Sequence, residues 1–140
     1  YKNLIYNSSG INDSNEKKYL EMDGAKIFEF VLDEVPTQIK KLLSKSKNSI
    51  NSIDYFVFHQ ANKFMLNALG KKLGLPKEKV IYSIDRFGNT NSASIPITLS
   101  ENLKKKNNLK ILISGFGVGY SWASAIINLH KPKFDSLQKI

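Results

Sequence analysis

The 140-residue chain contains no cysteine, and only one of its 21 basic side chains, Arg86, is an arginine. Without cysteine there is no disulfide framework, no thiolate metal site and no cysteine nucleophile within these residues. No apolar run approaches the roughly eighteen residues that a membrane-spanning helix needs. The first residues, YKNLIYNSSG, lack the apolar core and cleavage pattern of a signal peptide. A cytoplasmic location is therefore expected, and a first residue that is Tyr rather than Met reads as a piece of a longer protein. The net charge of +9 is carried by lysine. Arginine, with its bidentate fork, is the side chain that nucleic-acid readers favour, so nucleic acid is set aside as a partner. The lysine clusters (Lys40-Lys41, Lys71-Lys72, Lys104 to Lys106, Lys131 and Lys133) fit either a lysine-biased composition or an acidic partner. No metal site is expected, because His59 has no carboxylate at ligand spacing and the other histidine, His130, lies in a C-terminal tail. A serine triad has no G-x-S-x-G elbow to sit on.

What is present is the patterning of one α/β domain, with 41% apolar residues, enough for a single core. Residues 1–22 read as a short edge strand, Leu4 to Tyr6, followed by a polar surface loop. From Asp23, a candidate cap, the residues Ile27, Phe28, Val31, Leu32, Val35, Ile39, Leu42 and Leu43 recur at helical spacing, with Pro36 expected to kink or split the helix. Ile53 to Phe58 is apolar on both faces, as in a central parallel strand. A helix carrying Phe64, Met65, Ala68, Leu69 and Leu73 follows and ends at Gly74-Leu75-Pro76, a C-cap pattern. A strand over Lys79 to Ile84, a turn at Gly88 and a helix from about Ser92 to Lys106 come next. A strand over Leu109 to Ser114, a break at Gly115 to Gly119 and a returning strand from Tyr120 to Leu129 complete the domain, 23–129. Residues 130–140 read as a tail.

Three features fall at strand ends: His59 after YFVF, Asn89 after the Gly88 turn, and the alternating glycines Gly115, Gly117 and Gly119. In open α/β sheets the carboxyl edge is where ligands bind. An imidazole and a carboxamide facing one space form a pair of donors for a single oxygen, as chemistry through an enolate requires. Taken singly each has a plainer reading. A histidine at a strand end is often structural, Asn89 could cap the helix that follows Gly88, and GxGxG without a strand-to-helix setting does not mark a nucleotide loop.

Taken together, MDGAKIFEF at 22–30, HQAN at 59–62, LGLPKEKV at 73–80, DRFGNTNSASIP at 85–96 and GFGVGYSWASAI at 115–126 give the chain its likeness to a known family. It resembles the C-terminal half of the β-ketoacyl-acyl carrier protein synthase III family of thiolase-fold condensing enzymes, over about residues 19–129. The resemblance implies an α/β half of a thiolase-like fold, a mixed five-stranded sheet with covering helices. It implies decarboxylative Claisen condensation in fatty acid biosynthesis. A cysteine takes an acyl group from acyl-coenzyme A, and malonyl-acyl carrier protein supplies the carbon nucleophile, with no tightly bound cofactor. His59 and Asn89 match the family's catalytic histidine and asparagine, and the backbone N–H of Val118 matches an oxyanion donor, with valine where the family often has glycine. Gly115, Gly117 and Gly119 form the glycine turn at the site, with Asn62 and Phe116 in the substrate's vicinity. Lys63 is a candidate contact for the acidic acyl carrier protein, although the family commonly has its basic residue one position later, at Phe64 here.

Decarboxylation of a malonyl thioester leaves charge on the thioester oxygen, so two preplaced donors there stabilise the transition state more than the neutral ground state. A neutral His59 with its proton on Nε2 is the form that can donate without protonating the enolate. The resemblance also implies that the nucleophilic cysteine and most coenzyme A contacts belong to an N-terminal half, and that the whole protein is a homodimer. These residues alone are therefore expected to be inactive, with one sheet face exposed or paired with a second copy. An acyltransferase on the same fold with another acceptor, and a non-catalytic basic module binding an acidic protein or nucleic acid, are the alternatives.

Overall fold

The computed structural model describes residues 6–7, 20–21, 23–103, 107–117 and 120–134. Three strands make the main sheet, β3 (Tyr55–Phe58), β4 (Leu109–Gly117) and β5 (Ser121–Leu129), in the order β3-β4-β5. β3 runs parallel to β4 from Tyr55 opposite Ile111 to Phe58 opposite Ser114, and β4 and β5 form an antiparallel pair. One face carries α1 (Gly24–Lys45) and α2 (Lys63–Leu73), and the other carries α4 (Ser94–Leu103).

The period-two alternation of strands divides the core accordingly. Phe56, Phe58, Leu112 and Phe116 pack with Val31, Val35 and Ile39 of α1 and with Met65, Leu66 and Leu69 of α2. Val57 and Ile111 point the other way, against Leu103, Leu99 and Ile95 of α4. Asp23 caps α1 as expected, its Oδ1 accepting the Lys26 N–H at 3.1 Å. Gly74 adopts a left-handed φ of 65° at the end of α2, and the Leu75 N–H returns to the Gly70 carbonyl at 2.9 Å.

Several expectations are revised. Pro36 does not split α1, which is continuous through it. The ring is buried, and Val31, Val35, Ile39 and Leu43 hold the turns on either side against the core. Residues 79–84 do not form a strand. Lys77–Lys79 is a 3-10 turn, Val80 makes one parallel bridge to Phe56, and Ile84–Phe87 is a short helix, α3. The backbone N–H groups of Ser83 and Ile84 bond to the Gln60 side chain, which takes them out of any ladder. β4 continues past Ser114 to Gly117, because Gly115 and Gly117 pair with Ala123 and Ser121. The third helix begins at Ser94, after a 3-10 turn at Asn91–Ala93.

Near the N-terminus β1 (Tyr6–Asn7) pairs with β2 (Leu20–Glu21) as a separate ribbon rather than as an edge of the main sheet. The α/β class is therefore as expected, whereas the main sheet has three strands among the described residues, not five. Phe134, in the expected tail, packs on the α4 side of the core. No helix of the described residues is long and apolar enough to cross a membrane.

Candidate functional site

The parallel register of β3 and β4 brings two chain segments to one edge. His59 follows the last residue of β3, and its N–H extends the ladder to the Ser114 carbonyl at 2.8 Å. Gly115, Phe116 and Gly117 of β4 continue beyond the same level. The start of α4 arrives beside them. An open cavity of about 370 Å³ results, lined by His59, Asn91, Ser92, Ser94, Ile95, Gly115, Phe116 and Gly117. Its position is the carboxyl edge of the parallel pair, where ligands collect in α/β sheets. Its volume lies near the lower end for small-molecule sites, about 300–1,000 Å³.

The His59 ring sits edge-on to Phe116 at 5.5 Å between centroids, and its Nδ1 is 2.8 Å from Ser94 Oγ. Burial holds its pKa below the ordinary histidine value, and a bond to the Asn91 backbone offsets part of the shift. Burial outweighs that bond and favours the neutral imidazole. None of the residues lining the cavity is charged. Neither Gly115 nor Gly117 is required by unusual backbone or by a close contact. Both are extended strand residues, and a Cβ built on Gly115 would stand 3.9 Å from Ile95 Cδ1.

The other expected site residues fall as follows. Asn89 is exposed and does not line the cavity; its Oδ1 accepts the Asn91 N–H at 3.0 Å. Asn62 caps α2, its Oδ1 accepting the Met65 N–H at 2.8 Å. Lys63 pairs with Asp85 at 2.7 Å, both side chains more than half exposed. Val118 and Gly119 lie outside the described residues. Among the described residues no group of three or more His, Cys, Asp or Glu could hold a metal ion.

Two residues at the site carried no signal of their own in the sequence. Gln60 is fully buried, donating to the Phe58 carbonyl at 2.8 Å and accepting from Ser83 N–H at 2.9 Å and Ile84 N–H at 3.2 Å. It ties the end of β3 to the segment that leads to Asn89. Ser94, 1% exposed, touches the histidine. Serine and glutamine are common on any surface; Gln60 follows His59 directly but only the fold buries it and gives it its partners, and only the fold brings Ser94 to the ring.

Residues 43–129 match the family described as 3-oxoacyl-[acyl-carrier-protein (ACP)] synthase III C terminal. A β-ketoacyl-[acyl-carrier-protein] synthase III of Lactococcus lactis is 40% identical over 121 residues, covering 83% of this chain and 37% of the relative. One of Streptococcus uberis is 39% identical over 127 residues, covering 86% and 39%. The crystal structure of a 3-oxoacyl-(acyl-carrier protein) synthase from Burkholderia xenovorans superposes with a TM-score of 0.86 at 40% identity, over 95% of this chain and 42% of that one. The fold is thus the thiolase-like α/β fold, and the chain spans about two fifths of the length of the relatives it matches. The chain belongs to the 3-oxoacyl-[acyl-carrier-protein] synthase III family, and the part that matches is the family's C-terminal domain.

Proposed function

We propose that this chain is the decarboxylating half of a β-ketoacyl-acyl carrier protein synthase III, an acyltransferase of fatty acid biosynthesis. The observation that carries the reading is a half-buried His59 at the carboxyl edge of a parallel strand pair, facing a cavity without charged walls, its pKa held down by burial. In a longer protein a cysteine outside these residues accepts the acyl group from acyl-coenzyme A, releasing the free thiol of coenzyme A. Malonyl-acyl carrier protein then loses CO2, and the resulting enolate carbon attacks the acyl-cysteine thioester to give the β-ketoacyl product and free the cysteine. His59 donates to the enolate oxygen through Nε2–H, and Asn89 is the second donor. The Asn89 Oδ1 is held by the Asn91 N–H, which leaves its NH2 group as the end available to substrate. The backbone N–H of Val118 serves the tetrahedral adduct at the acyl-cysteine. Because this chain has no cysteine, it does not condense anything alone. Lys63 contributes to acyl carrier protein docking once its exposed pair with Asp85 opens, at little cost for two solvated side chains.

The test is acylation and decarboxylation measured separately on the longer protein. Acyl-coenzyme A should add one acyl mass to a cysteine, and malonyl thioester should release CO2. His59→Ala should keep the first and lose the second. Release of CO2 unchanged by His59→Ala would remove the reading.

A further inference from the structure

A neutral imidazole carries one N–H and one lone pair, and what bonds to one nitrogen decides what the other can do. In this site Nδ1 is committed. It stands 2.8 Å from Ser94 Oγ, which also accepts the Gln60 backbone N–H at 3.3 Å. With one lone pair of the hydroxyl occupied, its proton can be given to Nδ1 at that distance.

Ser94 is itself held on both sides. Its carbonyl accepts the Thr98 hydroxyl at 2.8 Å, and the Thr98 oxygen is bonded in turn to the Ser83 hydroxyl. The Ser83 N–H donates to Gln60 Oε1 at 2.9 Å, and the Gln60 N–H comes back to Ser94 Oγ. These four residues close a ring of hydrogen bonds. All four are buried, with exposures of 0% for Gln60 and Thr98, 1% for Ser94 and 5% for Ser83. Buried polar groups are costly unless satisfied, and a closed circuit in low dielectric fixes each member's donor and acceptor direction. The ring binds the end of β3, the start of α3 and the first turn of α4 into one rigid frame with His59 as its side branch.

We propose that Ser94 is the positioning residue of the site: its hydroxyl donates to His59 Nδ1, holding the neutral imidazole in the Nε2–H tautomer, so that the ring's donor is Nε2–H, which the Asn91 backbone carbonyl at the cavity wall accepts until a substrate oxygen replaces it. As a statement about catalysis this rests on the function proposed above; as a statement about the tautomer it does not. Donation to Nδ1 favours the uncharged ring, in the same direction as burial. The groups against the ring, Phe116, Ser94 and the Asn91 backbone, and the residues that line the cavity with it are uncharged, so the hydroxyl and the Asn91 carbonyl rather than a neighbouring charge decide where the proton sits.

The chain has two histidines, so histidine-selective 15N labelling of the 140-residue chain gives two imidazoles, distinguished by His130→Gln. Long-range 1H–15N spectra read which nitrogen of His59 is protonated. The expected result is a protonated Nε2 and a bare Nδ1, with the preference lost and the pKa of His59 raised in Ser94→Ala. Ser94→Thr, which keeps the hydroxyl, should restore both. A protonated Nδ1 in the unsubstituted chain overturns the proposal without need of any variant, and so does a Ser94→Ala chain with tautomer and pKa unchanged. In the longer protein Ser94→Ala should lower CO2 release about ten- to a hundredfold, as for other groups that orient a functional histidine. Acylation should be unaffected. Absence of CO2 release from the unsubstituted protein would remove the proposed function and leave the tautomer result standing, since the spectra need no turnover.

Discussion

His59 joins a depressed pKa to a fixed hydrogen-bond partner, and the first has a consequence for stability. An unfolded histidine titrates near 6.5, and the folded one lower. The stability that the neutral ring contributes is present in full above about pH 6.5. It is lost as the pH falls through the lower folded value, because the unfolded state binds the proton first. Denaturation midpoints of the unsubstituted chain should decline as pH drops below about 6.5, and His59→Gln should remove that part of the slope. An unaltered slope in the variant would contradict the burial account. The carboxyl of Asp23, lowered chiefly by the Lys26 backbone bond, acts in a separate window below its ordinary value of 3.8. For the reaction itself, loss of one preplaced donor costs about 2.7–4 kcal/mol of barrier. His59→Ala in the longer protein should therefore reduce CO2 release by about a hundred- to a thousandfold.

At the scale of elements, the segment between β3 and α4 is held by few but specific devices. Gln60→Ala removes the side-chain acceptor of the buried Ser83 N–H and the part-buried Ile84 N–H, and a donor to the Phe58 carbonyl. A loss of about 2 kcal/mol or more is expected in a denaturant titration. Gly88 sits at φ 66°, ψ −160°, a region that residues with a Cβ avoid, yet a Cβ there would touch nothing within 4 Å. Gly88→Ala should thus cost about 1–3 kcal/mol through backbone strain alone, seen as a lower melting temperature with the core packing unchanged. The Gly88 turn, the Asp23 cap and the Gly74 terminus were legible in the sequence because each depends on one residue type in one local setting. The strand expected over 79–84 failed for the opposite reason. Its apolar residues suit a strand, but the Val80 N–H closes the 3-10 turn on the Lys77 carbonyl and the Ser83 and Ile84 N–H groups are taken by Gln60, twenty-odd positions away, which no local pattern announces. His59 and the 115–117 segment were legible as strand ends, and they meet in the cavity. Asn89 was legible as a motif residue, whereas its exposed position and its bond to Asn91 depend on the fold of its own loop.

Across the whole molecule, one sheet carries two helices on one side and α4 over β3 on the other, which leaves much of β5 uncovered. Ser121, Ala123 and Ala125 are exposed there, and among the described residues the one exposed large hydrophobic side chain is Phe64, stacked on Phe28 at 5.2 Å. The side chains exposed along β5 are therefore small rather than strongly apolar. The most direct test uses the longer protein, charged first with acyl-coenzyme A and then given malonyl-acyl carrier protein, with intact mass and CO2 followed together. The account predicts an acyl adduct on a cysteine in both the unsubstituted protein and His59→Ala, and CO2 release in the unsubstituted protein alone. Equal CO2 release from both proteins, or an acyl adduct that forms only when His59 is present, would contradict it.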